Sequence, residues 1–174
     1  MMTYVSFLRG INIGGRRIAM ADLKETYEAA GMTNIVTFLQ SGNVIFESNE
    51  ADMAEVRRKL ESAVSDRFGY PAKILVRTRQ HLAPAVGAYP FDSSETLYQH
   101  YLIFISPELL EPLAREAQDP EVDQVQAGAD VVYWKVLKGM TLKSTFAKNL
   151  TKSAYKEFHT VRNINTLRRM LAGN

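Results

Sequence analysis

The chain has 174 residues, 46% of them hydrophobic and 23% charged, which is enough apolar material for one good core or two small ones and excludes a disordered polyelectrolyte. It contains no cysteine, so disulfides, a thiol nucleophile and cysteine metal sites are excluded, and a reducing, cytoplasmic home is expected. The net charge of +2 hides an asymmetry: residues 135–174 carry nine Lys or Arg against one acid, a local charge of +8, while the remainder carries 12 basic and 18 acidic side chains, a charge of −6.

Residues 3–9 form a short apolar run ended by Gly10 and read as a buried strand. After a glycine-containing loop, Met20, Leu23, Tyr27 and Ala30 recur at helical spacing before Gly31. Two strand-like runs follow, 35–40 and 44–48, joined by Ser41-Gly42-Asn43 as a tight hairpin. On the first of them Val36 and Phe38 alternate with Ile35 and Leu39, so apolar side chains are expected on both faces. Met53, Val56, Leu60, Val64 and Phe68 mark a second helix closed by Gly69, and 73–78 is a fourth strand.

Residues 79–97 read as a connector with a short helix near 80–86. The pattern then repeats: a strand at 98–105, a helix opened by Pro107, strands at 122–126 and 131–136, a helix over 142–155, a short strand at 158–161 and a final helix capped by Asn163. The expected fold is therefore α+β, two consecutive β-α-β-β-α-β (ferredoxin-like) halves packed together, residues 1–78 and 98–174, with an extra C-terminal helix.

In that topology the first and third strands are antiparallel neighbours, which sets the end of one beside the start of the other. Arg9, Gly10, Asn12, Gly14, Gly15 and Arg16 should then share a rim with Gln40, Ser41, Gly42 and Asn43, at the positive end of the first helix. Glycines admit close backbone approach and arginines supply charge, yet the pattern lacks the Gly-Lys-Ser/Thr ending of a P-loop. Read singly, the loop is a β-to-α connection and Ser41-Gly42-Asn43 a turn. Near the C-terminus, Arg162 and Asn163 lead into the last helix; capping accounts for the asparagine and leaves Arg162 for an anionic partner.

Three segments, Leu8 to Gly15, Gln40 to Phe46 and Thr160 to Asn163 with Thr166, resemble the family named domain of unknown function 1697, across nearly the whole chain. The resemblance implies the paired α+β arrangement and no particular reaction. Ile164 stands where that family usually has a tryptophan, and Arg16 or Arg17 where it has a lysine.

His81, His100 and His159 are far apart in sequence, so no metal site is expected, and no cofactor is implied. Ser41 lacks a Gly-x-Ser-x-Gly setting, and although Tyr4 and Phe46 could be offered as stacking aromatics, residues 41–47 lack the basic start and interleaved aromatics of an RNA-recognition sheet. No apolar run is long enough to cross a membrane. The expected function is binding of an anion, nucleic acid or a nucleotide or phosphate. The alternatives are an enzyme acting on a small phosphorylated or carboxylated metabolite and a structural or self-associating protein, with homo-oligomerisation left open.

Overall fold

The computed structural model describes residues 1–11, 14–38 and 41–173, and the chain divides into two compact units, Met1–Leu82 and Ala83–Asn174. The first contains β1 (Met2–Arg9), α1 (Met20–Ala29), β2 (Thr33–Phe38), β3 (Asn43–Ser48), α2 (Met53–Phe68) and β4 (Lys73–Thr78). After α3 (Arg79–Gly87), the second contains β5 (Tyr98–Ile105), α4 (Pro107–Ala114), β6 (Asp123–Ala127), β7 (Val131–Leu137), α5 (Thr145–Leu150), β8 (His159–Asn163) and α6 (Ile164–Ala172). Each unit holds an antiparallel sheet, ordered β2-β3-β1-β4 and β6-β7-β5-β8, so the ferredoxin-like order occurs twice.

In the first unit, alternate residues of β1 and their cross-strand partners, Tyr4 with Phe46 and Ser6 with Val44, face α1 and α2. Leu23 and Tyr27 of α1 and Val56, Leu60 and Val64 of α2 complete that core. The Tyr27 ring packs edge-on against Phe46 at 5.5 Å, and its hydroxyl shares a 2.9 Å hydrogen bond with the Ser6 hydroxyl. Val5 and Phe7, on the opposite face, are fully buried as well. α2 keeps the bounds its sequence implies because both ends are chemically marked. Asp52 accepts from the Ala54 amide at 2.9 Å, and Gly69 closes the helix in the left-handed region at φ 69°.

The edge strand β2 departs from expectation. A register irregularity between Thr33 and Val36, with Asn34 at φ 50°, turns this strand relative to β3, and Val36 is about half exposed where a buried apolar position was expected. Leu39 and Gln40, expected to end that strand, lie outside the described residues.

In the second unit, Ile103, Ile105, Val132, Trp134 and Val136 pack with Leu110 and Leu113 of α4 and Phe146 and Leu150 of α5. Fully buried Asp123 ties this core together, accepting from Trp134 Nε1 at 2.9 Å and from the Phe146 amide at 3.2 Å. The helix expected over 142–155 is confined to Thr145–Leu150. Ser144 caps its start by accepting from the Ala147 amide, and the chain after Thr151 breaks into turns that bring the Tyr155 hydroxyl to Glu116 at 2.9 Å. Asn163 does cap α6, accepting from the Asn165 amide at 2.9 Å.

Several amides on or beside the outer strands are held by side chains. Glu61 Oε1 accepts from the Ile74 amide of β4, Ser65 Oγ from the Ala72 amide just before it, and Gln118 Oε1 from the Val125 amide of β6, each at 3.0 Å.

Candidate functional site

The two loops expected to meet in the first unit do so. Phe7 pairs with Asn43 across β1 and β3, and the Leu8 amide donates to the Gly42 carbonyl at 3.0 Å. Gly42 is buried at φ 71°, and a Cβ there would lie 2.8 Å from Leu8 Cβ and 3.3 Å from two methyl carbons of Ile11. Only glycine allows the loop after β1 to close over this turn.

That loop is folded back on itself by Arg16. Its Nη1 donates to the Gly10 carbonyl at 3.1 Å, and its guanidinium lies 4.0 Å from the centre of the Tyr70 ring. Burial pushes the Tyr70 hydroxyl above its ordinary pKa, and the Arg16 charge works against that rise. Gly14 and Gly15 are both exposed and left-handed, at φ 61° and 81°, with Arg17 exposed after them. Arg9 is half-buried at the end of β1. Asn12 and Gln40 lie outside the described residues.

The chain then enters α1 through Ala19, which has no side chain able to cap it. Asp52, Ser144 and Asn163 cap α2, α5 and α6, whereas α1 and α4 have no side-chain cap, and of these two α1 is the one preceded by the glycine-rich loop.

Asn43 has a different task. It is 1% exposed, and both hydrogens of its amide nitrogen are used, toward the Phe38 carbonyl at 3.3 Å and Ser41 Oγ at 2.6 Å. What remains is Oδ1, an acceptor with no hydrogen-bond partner among the described residues. An anion needs donors, so Asn43 fixes the turn into β3 and offers an anion nothing.

Arg162 and Asn163 belong to the second unit. Arg162 stands opposite Leu102 in register on β8, and Asn163 is occupied as the cap of α6. The basic C-terminal segment is partly neutralised within this unit. Lys152 pairs with Glu116 at 2.7 Å and Lys135 pairs with Glu95, whereas Arg168 donates to the uncharged Ser93 Oγ at 2.7 Å. Lys138, Lys143, Lys148 and Arg169 are exposed.

A cluster that sequence reasoning passed over lies where the connector meets the second sheet. His100 and Lys135 are directly opposed on β5 and β7, and both are buried. Lys135 Nζ contacts the Glu95 carboxylate and lies 4.2 Å above the Tyr98 ring. His100 Nε2 donates to the Glu95 carbonyl at 3.2 Å, and Nδ1 is 2.9 Å from the Tyr89 hydroxyl. Beside them, an open cleft of about 490 Å³ is lined by Ser94, Glu95, Thr96, Leu97, Tyr98 and Lys135. The signal was a lysine inside the apolar run 131–137, a position that demands a counter-charge.

Among the described residues no three His, Asp or Glu side chains gather as a metal-binding group, and no helix is long and apolar enough to cross a membrane.

A family profile described as "Protein of unknown function (DUF1697)" matches residues 1–133, which include the β1–α1 loop, the turn into β3 and residues 94–98 of the cleft but stop short of Lys135. The chain belongs to the DUF1697 family. The conserved bacterial protein SP0830 from Streptococcus pneumoniae has a similar solved structure, with a TM-score of 0.79 at 18% identity over 98% of the DUF1697 chain and 97% of its own. At that identity the likeness shows the fold alone. An unknown protein from Galdieria sulphuraria aligns over 93% of this DUF1697 chain and 96% of its own at 10% identity, with a TM-score of 0.30, too low to bear on the fold. No protein of curated function matches the sequence.

Proposed function

We propose that the first unit binds a small phosphorylated ligand through the loop 9–17 and the N-terminus of α1. One observation carries the reading: α1 starts at Met20 with Ala19 at its cap position and no side-chain cap, a few residues after exposed left-handed Gly14 and Gly15 and two arginines. Cations placed before the positive end of a helix oppose its dipole, and a phosphate there would answer both the cations and the first-turn amides. Arg16 supports the site by holding the loop to Gly10 and Tyr70. Arg9 and exposed Arg17 add positive charge to the loop.

A single phosphate group suits this loop better than a nucleic-acid track. Lys135 and Lys152 of the basic segment are already ion-paired, which removes them from any row of phosphate contacts.

The test is a thermal-shift and calorimetric titration with inorganic phosphate and nucleoside monophosphates, against chloride at equal ionic strength. Ligand at about 100 times its Kd should add about 2.7 kcal/mol to stability. The Arg9→Ala/Arg17→Ala double variant should lose that gain. Asn43→Ala should melt lower and keep it. Phosphate acting no differently from chloride, or an undiminished gain in the double variant, would overturn the assignment.

A further inference from the structure

The cleft of the second unit is independent of the loop in the first, and its chemistry is bipolar. Lys135 projects from the central strand β7 with a side chain only 8% exposed, while its partner Glu95 sits on the connector and is 41% exposed. The carboxylate of Glu95 can leave without disturbing the backbone that carries it. The Glu95 amide donates to the Asp92 carbonyl at 3.3 Å, and the Glu95 carbonyl is held by the Tyr98 amide at 3.3 Å and by His100 Nε2 at 3.2 Å. Asp92 is fixed in turn by the amide and hydroxyl of Ser94, at 2.9 and 2.6 Å. The connector backbone is therefore hydrogen-bonded in place independently of the Glu95 side chain, which is its exposed part.

Charge balance selects the ligand. A buried lysine tolerates losing its carboxylate only if another takes the place. If that newcomer were a simple carboxylate, Glu95 would lose its partner and the cleft would gain a second negative charge. If it were a simple amine, it would engage Glu95 and strand Lys135 without a counter-ion. A molecule with both groups inserts between the two partners and leaves the net charge unchanged. The Thr96 hydroxyl, the Tyr98 ring and exposed Leu97 line the remaining wall and suit a short apolar side chain.

We infer that the cleft beside the Lys135–Glu95 pair binds a small zwitterion of the α-amino-acid type, its carboxylate on Lys135 and its ammonium on Glu95. The cleft volume lies within the range of small-molecule sites, which run from roughly 300 to 1,000 Å³.

Three matched probes separate the possibilities: leucine, isoamylamine, which lacks the carboxylate, and isocaproate, which lacks the ammonium. Amide chemical shifts of residues 94–98 are followed by NMR in the full chain during titration with each. Leucine should give saturable shifts there, with the two truncated probes bound about tenfold or more weakly, the scale of one lost charge-assisted contact. Glu95→Gln keeps the shape of an accessible side chain and removes its charge, so it should abolish the preference for leucine over isocaproate. Lys135→Met should abolish leucine binding, and Glu95→Gln decides the matter if that variant does not fold. Equal binding of all three probes, tightest binding of isocaproate, or no saturable shift with leucine would each overturn the inference. Phosphate binding in the first unit is read from different residues, so failure of one proposal leaves the other to its own test.

Discussion

Replacing Gly42 with alanine tests the account of the rim most directly. Two costs combine there. A left-handed backbone disfavours a Cβ by about 1–2 kcal/mol, and a Cβ 2.8 Å from Leu8 Cβ adds an overpacking penalty of about 1–3 kcal/mol. Leu8 Cβ is attached to the backbone of a central strand, so no rotation of that side chain relieves the contact. Gly69 provides the control, because its φ of 69° nearly equals the 71° of Gly42 while a Cβ there meets nothing within 4 Å. The two alanine variants should therefore differ by the steric part alone, about 1–3 kcal/mol, measurable by urea denaturation followed by far-UV circular dichroism. If Gly42→Ala is no less stable than Gly69→Ala, the close packing of the turn on β1 is wrong, and with it the convergence of the two loops.

Two further outcomes follow from buried groups. Asp123→Ala leaves the Trp134 indole N–H and the Phe146 amide without their acceptor, a loss of about 2–5 kcal/mol, and the fluorescence of the single tryptophan should change with it. Tyr27 is pushed above its ordinary pKa by burial, the Ser6 hydrogen bond working against that rise. The stability held by its neutral hydroxyl is therefore complete below about pH 10 and is lost as pH rises beyond it, because the unfolded chain ionises first. Tyr27→Phe should flatten the alkaline limb of the stability profile, and an unchanged limb would contradict the burial of that hydroxyl.

Local chemistry made much of the fold legible. Gly69 and Pro107 mark helix ends that the structure keeps, and the strands expected at 73–78 and 98–105 are β4 and β5 to the residue. α5 was overextended because apolar spacing from Leu142 to Tyr155 satisfies a helix as well as it satisfies a short helix followed by anchored turns; the deciding contact, Tyr155 with Glu116, spans much of the second unit. The pairing of the rim loops followed from topology. What Arg16 and Asn43 do there did not, since Tyr70, Gly10 and Phe38 become their partners only in three dimensions. The Lys135 cleft was hidden for the same reason, with one charge in a strand and the other in a segment that reads as a linker.

The side chains on the outer strands bear on how this protein behaves in a crowded solution. A free row of strand amides invites another chain to add itself, the first step of domain exchange and fibril growth. Glu61 and Gln118 occupy Ile74 and Val125 amides that a foreign strand would seek, and the irregularity in β2 spoils a third border. These polar residues read as ordinary surface, yet they act as stoppers against the addition of a foreign strand.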